Sequence, residues 1–120
     1  MGDFNTYSAG ASKVITLVKS SNTNTKIYIR ALWATSTANS STRQKSYQAT
    51  ETIANNNQAT VIYDGKAFDN SRSKYPEINL FDDNIHQSEA GAYLSAAMIY
   101  KTIGGTSSVE TTYNASLQQD

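Results

Sequence analysis

The stretch Lys26-Ile27-Tyr28-Ile29-Arg30-Ala31-Leu32-Trp33 constrains the fold more than any other. It is rich in β-branched and aromatic residues, so it reads as a strand. It is also more apolar than a strict in/out alternation allows. A strand with apolar residues on both faces has to be covered on both, which is the situation of a central strand in a parallel sheet packed between helices. The flanking segments agree. Tyr7, Ala11, Val14, Ile15 and Val18 form one stripe of an amphipathic helix upstream. Downstream, Thr35 to Thr42 is a Ser/Thr/Asn loop, the segment expected to be most flexible. Arg43 to Asn55 is expected to be a second helix, Ala59 to Tyr63 a short strand, and Lys66 to Ser73 a short helix. Ile78 to Phe81 is an extended approach to a loop, and a last helix runs from Ser88 to Gly104-Gly105. Helix, strand, helix, strand, helix, loop, helix is the order of an α/β fold with parallel strands. Only two strands are convincing, so the sheet is small and has exposed edges. Residues 1–105 form the domain and 106–120 a polar tail.

Composition removes several classes of function. The 120 residues carry 10 basic and 10 acidic side chains and no net charge. That leaves no electrostatic footprint for nucleic acid or anionic lipid. There is no cysteine, hence no disulfide framework and no thiolate metal site. No apolar run approaches the roughly 20 residues of a membrane span. Met1-Gly2-Asp3-Phe4-Asn5 lacks a basic-then-apolar signal pattern, which fits a cytoplasmic protein or one whose leader has been removed to an extracytoplasmic compartment.

The chemistry concentrates in Asp82-Asp83-Asn84-Ile85-His86-Gln87-Ser88-Glu89-Ala90-Gly91. His86 is the single histidine of the chain, three residues after Asp83 and just ahead of the last helix. Ser88 suits an N-cap, Glu89 a first turn, and Ala90, Leu94, Ala97 and Met98 share a face. A carboxylate beside an imidazole can form the base half of a nucleophilic triad: the acid orients the ring, and the second ring nitrogen takes the nucleophile's proton. Two blander readings stand beside this one. His86 can be a structural partner of Asp83, and Asp82, Asp83 and His86 can contact a divalent ion, although one histidine and two adjacent aspartates make a poor ligand set. Tyr28 and Trp33 can stack on a sugar, but at a strand and its exit they read first as core or core rim.

Asp83-Asn84-Ile85-His86-Gln87-Ser88-Glu89-Ala90-Gly91, with its helix ending at Gly104-Gly105, resembles the C-terminal Asp-x-x-His block of the SGNH (GDSL-type) hydrolase superfamily. The strand from Lys26 to Ala34 resembles the one that precedes that block. The likeness covers roughly residues 4 to 105. It implies a three-layer α/β/α, flavodoxin-like domain of which this chain is the C-terminal half. Asp83 would then be the triad acid and His86 the general base in the hydrolysis of O-acyl esters, plausibly on carbohydrate, with no metal or organic cofactor. Gln87 stands where the family usually has proline. The family's serine and oxyanion-hole residues lie upstream of the matched region. Gly2-Asp3-Phe4 mimics the nucleophile block but carries phenylalanine in place of serine, and Ser8, Ser12 and Ser36 lie in no nucleophile elbow. The nucleophile is therefore unassigned, and the isolated chain is expected to be a very poor esterase. Its partners on this reading are an ester substrate and a complementing N-terminal segment or a second copy. The alternative is a non-catalytic binding or assembly module that retains the fold.

Overall fold

A computed structural model describes residues 3–104. The expected tail, 106–120, lies outside the described residues. Among the described residues the architecture is mixed α/β: four helices and a two-stranded parallel sheet, in the order α1 (Phe4–Ser21), β1 (Tyr28–Arg30), α2 (Ser40–Asn56), β2 (Thr60–Ile62), α3 (Asp64–Lys74) and α4 (Glu89–Ile103). The order is the one expected from the sequence, and the boundaries move for local reasons. Asn39 accepts a hydrogen bond from Thr42 N (2.8 Å), so α2 begins at Ser40 rather than Arg43. α3 begins at Asp64, directly after β2, where an acidic residue complements the helix N-terminus. α4 has the cap read from the sequence. Ser88 Oγ accepts from Gly91 N at 3.2 Å, and Gly104, at φ 130°, ends the helix in a conformation that favours glycine.

The strands pair in the register Tyr28↔Thr60, Ile29↔Val61 and Arg30↔Ile62. Thr60 N→Ile27 O (2.9 Å) and Ala31 N→Ile62 O (2.8 Å) extend the ladder by one bond at each end. Helix α2 crosses over one face of the pair to join β1 to β2, and α1 lies beside α2, with Lys19 Nζ donating to Asn57 O (3.3 Å). On the other face, Arg30 reaches Ser95 of α4. Alternation along β1 sends Ile29 and Arg30 to opposite sides, so both faces are in use.

The core has two parts. Tyr47, Ile53 and Ala54 of α2 are buried over the sheet together with Ile15 of α1. Phe68 of α3 packs with Leu80 and Phe81, and Trp33, Ala90 and Leu94 close around them. Phe68 is the centre of this second part. Its ring stacks on Trp33 (centroids 4.7 Å apart, 8° between planes) and meets Phe81 edge-on (5.6 Å, 79°). Trp33 is thus core rim, as its position at a strand exit suggests.

Helix α1 departs from expectation. Of the stripe Tyr7, Ala11, Val14, Ile15 and Val18, only Ile15 is buried, and Val14 remains 61% exposed. The stripe is amphipathic as read, but no strand lies beneath most of it among the described residues. Among those residues the sheet ends at β1.

Candidate active site

Residues 80–88 fold back on themselves. Phe81 and Gln87 form an antiparallel bridge, flanked by Asp82 N→His86 O and Ser88 N→Leu80 O, both 2.9 Å. Asp83 organises the tip. Its Oδ1 accepts the backbone N–H groups of Ile85 and His86, each at 2.7 Å, and its Oδ2 lies 2.7 Å from His86 Nδ1. Aspartate favours such turns because its short side chain reaches backbone donors two and three residues on. One carboxylate therefore both builds the turn and holds the ring. An ionised carboxylate only accepts, so the proton at this contact belongs to Nδ1, and Nε2 of the neutral ring is left free as a base. The imidazole is 77% exposed, so that nitrogen is open to solvent.

The loop is anchored from two sides. Trp33 Nε1 donates to Ile85 O (2.8 Å), Ser36 N to Asn84 O (2.8 Å) and Ser36 Oγ to Asn84 Oδ1 (2.8 Å). The segment expected to be flexible is thus tied to the loop that carries His86. Arg72 adds a strut: its guanidinium donates to Ser36 O (2.8 Å) and sits over the Phe81 ring, 5.6 Å from the centroid. On the helix side, Ser88 Oγ donates to Asn79 O (2.7 Å) while accepting from Gly91 N, coupling the loop to the first turn of α4. Trp33 follows β1, so His86 stands at the carboxyl end of the sheet. That is where open parallel sheets assemble their ligand sites. An open groove of about 600 Å³ runs along the Asp83 side of the loop, between Arg72, Asn79 and Asp82.

The two charges reinforce each other. The backbone N–H groups of His86 and Ile85, then the imidazole, hold the Asp83 carboxyl well below its ordinary range. The hydrogen bond from His86 to Asp83, then the negative charge of that carboxylate, raises the imidazole above its ordinary 6.5. A raised imidazole pKa contributes stability below the unfolded value, and this is lost as pH rises through the folded one. A depressed carboxyl pKa contributes above the unfolded value of 3.8 and is lost as pH falls through the folded one. The pair is therefore fully formed between about pH 4 and 6.5. An NMR titration of the His86 ring is expected to give a midpoint above 6.5 in the native protein and one returned towards 6.5 in Asp83→Asn. An unchanged midpoint in that variant would show that the carboxylate does not set the ring's basicity.

The structure brings together Asp83 and His86 of the residues singled out from the sequence. Ser36 is in the adjoining loop, but its hydroxyl is engaged by Asn84. Ser8 and Ser12 are on α1. Among the described residues, no hydroxyl is hydrogen-bonded to His86, and no three His, Asp or Glu side chains converge as a metal site. No helix among them is long and apolar enough to cross a membrane.

A second charged cluster lies between the sheet and α4. Asp64 is fully buried at the end of β2, where its Oδ2 accepts from Arg30 Nε (2.7 Å), and Arg30 Nη2 also donates to Ser95 Oγ (2.8 Å). It joins β1, α3 and α4, and so helps to fix the helix that carries the His86 loop. Arginine inside an otherwise apolar strand, and aspartate directly after another strand, were the sequence signals for it. Comparison with known proteins gives no match, whether to family models, to curated proteins or to solved structures.

Proposed function

We propose that this chain is the C-terminal part of an SGNH-type serine ester hydrolase, supplying the acid and the base of its triad. The observation that carries this reading is the 2.7 Å contact between His86 Nδ1 and Asp83 Oδ2, with the opposite ring nitrogen open to solvent at the carboxyl end of a parallel sheet. On this reading the complete domain is a flavodoxin-like α/β/α sandwich, and the serine and oxyanion donors come from outside the 120 residues. His86 Nε2 takes the serine proton as Oγ attacks the acyl carbon. It then delivers that proton to the departing alcohol, and repeats the sequence with water to release the acid. Asp83 holds the ring and balances the imidazolium formed at each step. The rate should rise with pH as His86 loses its proton, with a midpoint above the ordinary imidazole value. The substrate class is an O-acyl ester, with acylated carbohydrate as the first to try.

The absence of any hydroxyl bonded to His86 among the described residues favours a second reading, a binding or assembly module without turnover. One pair of assays separates the two. The chain alone is expected to hydrolyse p-nitrophenyl acetate no faster than its His86→Ala variant, and to take no label from a fluorophosphonate that reacts with activated serines. Joined to the N-terminal half of an active SGNH esterase, it is expected to turn over. His86→Ala in that chimera should then cost about 10⁴- to 10⁶-fold. A folded chimera that turns over equally well without His86 sinks the catalytic assignment.

A further inference from the structure

We propose that the free edge of β1 docks one more parallel β-strand, one that leads into the start of α1 and is apolar on the side that meets α1. The backbone sets the first requirement. Ile27 O and Ala31 N bond to β2, so residues 27, 29 and 31 direct their hydrogen-bonding groups inward. Tyr28 and Arg30 direct theirs to the opposite edge, and among the described residues those groups have no partner. Two donor–acceptor sets in extended geometry are what an added strand satisfies.

Helix α1 sets the second. It packs beside α2 on one face of the sheet, and an apolar groove of about 480 Å³ opens between it and β1, with Ile29 and Ile53 among its lining. Packed helices lie about 8–10 Å apart and strands about 4.8 Å. A helix alongside α2 therefore sits over positions beyond β1. Among the described residues no strand fills them, and Val14 and Val18 stay exposed, at 61% and 40%.

Handedness specifies the direction. Parallel strands joined through a helix cross over right-handedly almost without exception. The β1–α2–β2 unit uses one face, and α1 occupies the same face. A strand that leads through α1 into β1 must then run parallel to β1 and lie on its side away from β2, which is the free edge. A second copy of this chain fits poorly. Pairing β1 with β1 about a two-fold axis crowds two α1 and two α2 helices onto one face of four strands: about 40 Å of helix width over about 20 Å of sheet.

The test adds the strand covalently. Six Val, Ile and Thr residues and a three-residue Gly/Ser loop are placed before Asp3, next to the start of α1. In the extended chain, amide exchange at Tyr28 and Arg30 is expected to slow at least tenfold, with a higher thermal midpoint. An extension of equal length made only of Gly and Ser is expected to protect neither. Val14→Glu should remove the protection, because its carboxylate falls under the added strand, yet leave the parent fold intact because Val14 is exposed. Unslowed amides overturn the proposal, as does equal protection by the Gly/Ser control or indifference to Val14→Glu. Sedimentation showing a dimer of the parent chain with both amides already protected would overturn it in favour of a second copy. The readout is exchange at two backbone amides, so it stands or falls separately from ester hydrolysis.

Discussion

Phe68→Ala is expected to cost about 3–5 kcal/mol and to loosen the His86 loop in the same step. The ring is 1% exposed and sits between two other aromatic rings, so its removal opens a cavity that neither Trp33 nor Phe81 can fill without leaving its own partners. For a domain of this size the whole of the folding free energy is of order 5–15 kcal/mol, so the loss is a large share of it. The consequence reaches the site by a short route. Trp33 stacks on Phe68, and the Trp33 indole N–H holds the Ile85 carbonyl one residue before His86. Urea unfolding followed by circular dichroism measures the first effect, and the emission of the chain's single tryptophan measures the second. A red-shifted Trp33 emission is expected below the unfolding transition. A loss under about 1 kcal/mol would mean that the cluster around Phe68 repacks freely and is not what holds the loop.

Gly65→Ala tests the other half of the core and the second large effect. A Cβ at this position would overlap Tyr47 Cε1 and lie 2.7 Å from the Leu32 carbonyl oxygen. Neither neighbour can retreat easily. Tyr47 is buried and its hydroxyl donates to Asp69 Oδ2 (2.9 Å), with Arg43 Nε 3.0 Å from the other carboxylate oxygen. Leu32 follows Ala31, whose carbonyl accepts from Gly65 N itself (2.8 Å) and whose N–H bonds to Ile62 O. The methyl group must therefore separate the start of α3 from the end of β1. The expected cost is at the upper end of the range for overpacking, about 3 kcal/mol. Gly10→Ala is the matched control. Gly10 lies inside α1 with nothing within 4 Å of an added Cβ, so the same change is expected to stabilise by about 0.5–1 kcal/mol through helix propensity. Thermal denaturation of the two variants should move in opposite directions. Equal shifts would show that close approach at Gly65 is not what selects glycine there.

The candidate site was legible because its signals are local. Asp83 and His86 are three residues apart, the cap at Ser88 and the stop at Gly104 are short-range, and each contact follows from spacing alone. The anchors of the loop were not legible. Trp33 bonds Ile85 across 52 positions and Ser36 bonds Asn84 across 48, and neither residue type names its partner in advance. Tyr100 marks a limit of another kind. An aromatic residue on a helix with an apolar face is expected to pack, yet Tyr100 is 51% exposed, because α4 turns Gly91 and Ser95 inward and Tyr100 away.

By itself, the sequence determined the α/β alternation, the order of the elements, the ends of α4 and the Asp83–His86 pairing. These rest on periodicity, capping and backbone reach within a few residues. Only the tertiary structure decided that, among the described residues, β1 has one paired edge and one free edge, that α1 overhangs the free one, and that Arg30, Asp64 and Ser95 meet between sheet and helix. Those depend on which distant segments come to lie side by side, and an apolar residue carries the same hydrophobic drive whichever surface covers it.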